Sequence, residues 1–348
     1  VDQRLSERDA MERALELAAR GPSHGPNPRV GAVLIDQDGH VLGEGWHRGA
    51  GTAHAEVAAL AAARDAGRDP AGATAVVTLE PCDIAGRTGP CTRALLDAGV
   101  ARVVHAVADP TTAGGGGATL RAAGVVVESG LLGAAVEEQL RVWLGAARLG
   151  RPWVTLKIAT TLDGRVAAAD GSSRWITSPE SRAHAHRFRT EVDAIAVGTG
   201  TVLTDDPALT ARSGAAAEHQ PLRVVLGDRP VPPGARLRQD GAGLVTIPGH
   251  DPAHALAVLG SREVRHLLVE GGPTVAAAFL RAGLVDEVHA YLAPVLLGDG
   301  PAAVRPLGIG TITDALRLET AEVLRLGPDV LLVGRPDHRP QPRADREV

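Results

Sequence analysis

The chain has 348 residues, 44% hydrophobic and 22% charged, with a formal net charge of -5. That length exceeds one ordinary hydrophobic core, so two domains are expected. The acidic balance and the scarcity of aromatic residues (four Trp, two Phe, one Tyr) argue against nucleic-acid and membrane-surface partners.

Two cysteines cannot make a disulfide framework, the opening Val1-Asp2-Gln3-Arg4 is not an apolar leader, and no apolar run approaches the roughly 18 residues of a membrane span. A cytoplasmic enzyme is expected.

Ser6 to Arg20 reads as a capped amphipathic helix with Gly21 as its stop. Val30 to Ile35 and Val41 to Trp46 flank Asp38-Gly39, a hairpin signal. The pattern then alternates: helix His54 to Ala66, strand Ala75 to Leu79, helix Pro90 to Ala98, strand Arg102 to Val107, helix Thr119 to Ala123, strand Val125 to Glu128. Such alternation predicts an α/β layered sheet. Leu131 to Leu149 reads as one closing helix, broken by Gly150-Arg151-Pro152, which places domains at 1–150 and 151–337. Strands of the second domain are predicted at Val154 to Ala159, Ala194 to Gly198, Leu222 to Leu226, Gly243 to Ile247, His266 to Glu270 and Glu287 to Leu292, with a helix at Pro179 to Thr190. Pro207 and Ser213 to His219 read as surface loop, and the polar stretch 338–348 as a disordered tail.

The chemistry concentrates in His54-Ala55-Glu56 and in Pro81-Cys82 and Pro90-Cys91, which hold the only cysteines of the chain. One imidazole and two thiolates make a zinc site with a fourth position open to water, and a carboxylate outside the ligand set can move protons. His54 and Glu56 face one pocket only at a helix start, for which Thr52 is the expected N-cap. Cys91 after Pro90 suits a first helical turn, where a thiol is acidified. Hydrolytic deamination follows, with Glu56 as proton shuttle. The general deaminase signature has two residues between its cysteines and this chain has eight, so the intervening loop must arch out and back. Taken singly, His-x-Glu is common on surfaces and a cysteine is often a small buried hydrophobe. A structural zinc domain would need a fourth protein ligand, and none stands nearby at ligand spacing.

The residues Thr78-Leu79-Glu80-Pro81-Cys82, Gly86-Arg87-Thr88-Gly89-Pro90-Cys91, Pro26-Asn27-Pro28-Arg29-Val30-Gly31-Ala32-Val33, Lys157-Ile158-Ala159-Thr160-Thr161-Leu162-Asp163-Gly164-Arg165, Thr204-Asp205-Asp206-Pro207 and Val269-Glu270-Gly271-Gly272-Pro273-Thr274 resemble the bifunctional riboflavin-biosynthesis deaminase/reductase family. The match runs from about residue 8 to 335 in the same order. The resemblance implies an N-terminal cytidine-deaminase-like three-layer domain acting on a phosphoribosylated diaminopyrimidinone, and a C-terminal dihydrofolate-reductase-like domain that reduces the ribose to ribitol with NADPH. It implies zinc on His54, Cys82 and Cys91, catalysis by Glu56, and a first pocket lined by Asn27, His47, Arg87 and Asp109. In the second domain it implies cofactor contacts at Ala159, Trp175, Thr201 and Asp205, and substrate contacts at Ser173, Arg189, Leu209, Arg212 and Glu270. It also implies a small-molecule substrate and a homo-oligomer.

Read without the family, the second half offers neither a Rossmann fingerprint nor a Walker loop. Its best phosphate cradle is Glu270-Gly271-Gly272-Pro273-Thr274, where a strand ends and an apolar helix begins. Arg189 and Arg212 are candidates for the substrate phosphate, or simply solvated arginines. Lys157 is the single lysine, and its pairing with Asp163 has a structural reading as well as a functional one.

Two departures from the family pattern stand out. Ile84 occupies the place of a usual histidine, and Asp109-Pro110-Thr111 replaces Asp-Pro-Asn, so recognition of the usual pyrimidine is expected to weaken or change. Asp228 would repel a cofactor 2'-phosphate unless Arg229 compensates. Alternatives are a related deaminase/reductase with another pyrimidine, a chain with only its reductase half active on the standard pathway, and a zinc-dependent nucleic-acid editor, which the charge disfavours.

Overall fold

The computed structural model describes residues 4–84, 89–213, 215–216, 219–239 and 241–337. The chain divides into two compact units, Val1–Arg151 and Pro152–Val348. The stretch 338–348, expected to be a tail, lies outside the described residues.

The first unit opens with helix α1 (Glu7–Ala18), whose N-cap Ser6 forms a reciprocal capping box with Asp9, a device that contributes about 1 kcal/mol. Strands β1 (Gly31–Ile35) and β2 (Val41–Trp46) form the expected hairpin. They are followed by α2 (Ala55–Asp65), β3 (Thr74–Leu79), α3 (Cys91–Asp97), β4 (Arg102–Val107), α4 (Gly116–Ala122) and β5 (Val126–Ser129). The sheet order is β2-β1-β3-β4-β5, antiparallel through β2, β1 and β3 and parallel from β3 to β5. The expected single helix from Leu131 is two, α5 (Gly133–Gln139) and α6 (Arg141–Leu149). The break falls at Leu140, which is 2% exposed and joins the core, so burying it overrides helical continuity.

Strand alternation on β2 puts Gly43 and Gly45 on one face and Glu44 on the other, where it pairs with Arg13 of α1. A Cβ on Gly45 would lie 2.4 Å from the Ala55 carbonyl oxygen, and one on Gly43 would lie 2.3 Å from that of Ala59. Backbone therefore meets backbone between β2 and α2, and this contact fixes where α2 begins. The core between sheet and helices is small and branched: Ala14, Val33, Leu34, Leu60, Val76, Leu95, Val104 and Leu144 are all buried.

The second unit holds β6 (Trp153–Thr161), α7 (Pro179–Phe188), β7 (Ala194–Gly198), α8 (Thr199–Asp205), the two-residue strands β8 (Arg212–Ser213) and β9 (Ala215–Ala216), and β10 (Leu222–Leu226). These are followed by β11 (Leu244–Ile247), α9 (Pro252–Gly260), β12 (His266–Val269), α10 (Pro273–Arg281), β13 (Glu287–Ala293), β14 (Leu318–Leu326) and β15 (Asp329–Pro336). The eight-stranded order is β11-β10-β7-β12-β6-β13-β15-β14, with parallel pairing from β11 to β13 and β15 antiparallel to both its neighbours, β13 and β14. The β14 and β15 hairpin and helices α8 and α9 were not foreseen from sequence. Gly198, the last residue of β7, is also the N-cap of α8. Within the stretch expected as loop, β8 and β9 pair for two residues each.

Substituting Gly45→Ala should push α2 off the sheet and lower stability by about 1–3 kcal/mol. A thermal melt of the full chain reads this as a lowered transition for the N-terminal unit, with the transition of the C-terminal unit unchanged.

Candidate active sites

His54 sits at the N-cap of α2 with extended backbone (φ -69°, ψ 162°) and makes no side-chain cap. It replaces the expected Thr52, whose hydroxyl donates to the Gly49 carbonyl instead. Because its ring is not spent on capping, it turns toward the sulfurs: Nδ1 lies 3.5 Å from Cys82 Sγ and 3.3 Å from Cys91 Sγ. Cys91 is the first residue of α3 after N-cap Pro90, and its N–H donates to Cys82 Sγ over 3.4 Å.

Among the described residues, His54, Cys82 and Cys91 form a group whose ligand atoms all lie within 4.8 Å of one another. A tetrahedral zinc with ordinary bond lengths needs nitrogen-to-sulfur edges of about 3.5 Å, so the donor set fits zinc in chemistry and in spacing. A second cluster, Asp36, Asp38 and His40, lies in the β1 to β2 turn. There Asp36 accepts the Asp38 and His40 N–H groups and meets the His40 ring, which accounts for it as turn structure.

Glu56 lies one residue into α2, 4% exposed and outside the ligand set. Burial lifts its carboxyl above the ordinary carboxylate range. The Cys82 thiol is pulled down to about 4, chiefly by its hydrogen bond with Cys91 and then by His54. Of the other residues expected here, His47 packs edge-on against His54 with ring centroids 5.3 Å apart. Burial lowers its pKa, so as the neutral ring it donates from Nδ1 to the Ala53 carbonyl and accepts the Asn27 amide at Nε2, 3.0 Å away. Asp109 uses its carboxylate to accept the Thr111 N–H, while its own N–H donates to Glu80. Thr111 in turn accepts the Ala113 N–H on its hydroxyl, so the departure at this position is absorbed by turn structure. Arg87 lies outside the described residues. Ile84 is 46% exposed.

In the second unit a cavity of about 670 Å³ is lined by Ala159, Ser173, Thr201, Asp205, Glu270, Gly272, Pro273 and Thr274, all expected site residues, and also by Lys157, Arg229 and His250. Gly272 is the N-cap of α10 and leaves the first turn without a side-chain cap, so free N–H groups face the cavity as an anion seat. Four expected residues, Trp175, Arg189, Leu209 and Arg212, are not in the lining. Trp175 is 71% exposed beneath the Arg182 guanidinium, Leu209 is 3% exposed in the core, and Arg212 is exposed with Nε on the Thr210 hydroxyl. Asp228 accepts the Gly249 N–H on Oδ1 and is not in the lining, whereas Arg229 is.

Arg189, expected as a phosphate ligand, is differently engaged. Its Nε and Nη2 donate to the two oxygens of Glu270 at 2.6 and 2.8 Å, and Nη1 donates to the Thr210 carbonyl. Lys157 does not pair with Asp163, which caps the Gly298 N–H and accepts the Thr161 hydroxyl. Its Nζ instead lies 3.8 Å from Glu270 Oε2. The register explains this, because Leu156 of β6 is paired with Val269 of β12, so the next residues on the two parallel strands are neighbours. Nothing local in the sequence signals either partnership.

Burial would raise the Glu270 carboxyl, but the charge and hydrogen bonds of Arg189 outweigh it and hold the pKa at about 2, against an ordinary 4.5. A depressed folded-state value means that the stabilisation is present above pH 4.5 and is lost as pH falls toward 2. Thermal melts of wild type and Glu270→Gln should therefore differ by a constant amount above pH 4.5 and converge as the pH approaches 2.

Both units resemble known protein families. Residues 5–107 match the cytidine and deoxycytidylate deaminase zinc-binding region, and residues 152–332 match the RibD C-terminal domain. The riboflavin biosynthesis protein RibD of Mycobacterium tuberculosis is 50% identical over 95% of this chain and 98% of its own length. That of Escherichia coli is 42% identical over 92% and 97%. A Thermotoga maritima structure described as a diaminohydroxyphosphoribosylaminopyrimidine deaminase/5-amino-6-(5-phosphoribosylamino)uracil reductase superposes with a TM-score of 0.86 at 33% identity, covering 95% of this chain and 98% of that one. With both domain families matched in order and relatives aligned almost end to end, the chain belongs to the RibD family of bifunctional riboflavin-biosynthesis deaminase/reductases.

Proposed function

We propose that the N-terminal unit hydrolytically deaminates the phosphoribosylated diaminopyrimidinone and that the C-terminal unit reduces the ribose of the product to ribitol with NADPH. The observation that carries the first half is the meeting of His54, Cys82 and Cys91 with a buried Glu56 carboxyl left outside the donor set. Zinc bound there supplies a Lewis acid that makes water acidic enough to attack an amidine-like carbon. The chain's own residues do the rest. Glu56 takes a proton from water at its carboxylate and returns it to the departing amino group, so that water and an amino-pyrimidine become a carbonyl and ammonia. A pKa lifted by burial suits a group that must both accept and release that proton. Neutral His47, fixed by Ala53 and Asn27, walls the pocket beside His54.

In the second unit NADPH supplies the hydride. The uncapped first turn of α10 would hold its pyrophosphate, and Arg229 with His250 would hold the additional phosphate. Lys157 faces the same cavity with its ammonium beside Glu270, placed to give a proton to the sugar oxygen as hydride arrives at carbon. Arg189 keeps Glu270 ionised, and Glu270 opposes the burial that lowers the Lys157 pKa. The substrate is a small phosphoribosyl pyrimidine, and the protein works in the cytoplasm as a homo-oligomer. Among the described residues, no helix is long and apolar enough to cross a membrane.

Ammonia release from the phosphoribosylated diaminopyrimidinone, followed by NADPH oxidation, tests the whole assignment. Glu56→Gln should retain zinc by metal analysis and lose about 100-fold or more of deamination, with reduction of the deaminated intermediate unchanged. Ile84→His, which restores a polar group where the family has one, should raise deaminase kcat/KM about fivefold, the equivalent of about 1 kcal/mol; an unchanged value removes Ile84 from substrate recognition. Arg229→Ala should raise the KM for NADPH and leave that for NADH unaltered, as steady-state reduction with each cofactor would record.

A further inference from the structure

The eight-residue span between the two cysteines includes Asp83, which belongs to neither the ligand set nor the proton shuttle. Asp83 Oδ1 accepts the hydroxyl of Thr92 at 2.7 Å, and Oδ2 accepts that of Thr119 at 2.5 Å. Its N–H donates to the Ala113 carbonyl over 3.0 Å. Thr92 directly follows Cys91 on α3 and is 2% exposed, and Thr119 lies on α4.

One carboxylate therefore joins the strand exit that carries Cys82, the helix that carries Cys91, and a third element that carries no ligand. The base of the loop is closed independently by the Thr92 N–H, which donates to the Cys82 carbonyl at 3.2 Å. Helix α4 is pressed against the same place: a Cβ on Gly116 would lie 1.9 Å from the Pro81 carbonyl oxygen. Both carboxylate oxygens of Asp83 are engaged by hydroxyls, so it is not available as a fourth ligand or as a direct substrate contact.

We infer that Asp83 is a positioning residue that clasps the two cysteine-bearing segments against α4 and so holds the sulfurs at zinc-binding separation. The inference rests on the zinc assignment above. Without it, the Cys82 segment is tied to α3 by the Thr92 N–H on the Cys82 carbonyl and the Cys91 N–H on Cys82 Sγ, and the ligand set spends part of its time open. Groups that orient metal ligands typically change metal affinity by about 10-fold to 100-fold when removed.

The test is zinc release from the full-length, zinc-loaded chain into an excess of a chromogenic chelator, together with the zinc content of the starting material. Asp83→Ala should release zinc about 10-fold or more faster than wild type, Thr92→Val and Thr119→Val should each fall between the two, and Asp83→Asn, whose amide can still bond a hydroxyl, should be slower than Asp83→Ala. Reductase turnover and the melting temperature of the metal-free protein should be unchanged, which separates a clasp on the ligands from general stability. Release from Asp83→Ala within twofold of wild type overturns the clasp. If Asp83→Ala does not fold, the two threonine variants decide: faster release from both supports the clasp, and wild-type release from both overturns it. Wild-type protein that binds no zinc would instead sink the metal site itself, a distinguishable failure.

Discussion

Contact between bare backbone at Gly43 and Gly45 of β2 and the carbonyls of α2 sets the geometry on which the deaminase site depends. Only glycine permits helix and strand to approach this closely, and the approach determines the point at which the chain turns from loop into α2. At that point His54 is still extended while Glu56 is already helical and buried. Two side chains that a regular helix would aim apart are thereby brought to one pocket. The sulfurs come from separate places, one just after a parallel strand and one on the first turn of the next helix, the end of a sheet where open α/β folds bind ligands.

The two units handle buried charge in different ways. In the first, two thiols and an imidazole converge, an arrangement that a divalent metal neutralises. In the second, the buried carboxylate of Glu270 is compensated by protein groups, through a bidentate guanidinium and a nearby ammonium. Such a network is costly if one member is lost, since the remaining charge is then buried unpaired. It leaves Lys157 at the cavity wall beside Glu270 and Arg189 committed to Glu270.

Much of the first unit was legible because its signals are local. The capping box of α1, the Asp-Gly hairpin and the alternation of strand and helix each lie within a few residues, and the ligand motif is a matter of residue type and order. The elements missed in the second unit are those with weak local signals. β14 is mostly exposed and lacks an apolar run, and α8 begins in a Gly-Thr stretch that also suits a strand exit.

The sequence by itself determined the family, the donor set for zinc and the two-domain order, because these follow from which side chains are present and how they are spaced. Tertiary structure alone decided that His54, not Thr52, caps α2, that Leu140 breaks the closing helix, and that Asp83 reaches α4. It also decided that Arg189 bonds Glu270, 81 positions away. Each of these depends on where strands pair and which side chains the core takes in, and a contact between distant segments leaves no period or motif along the chain to betray it.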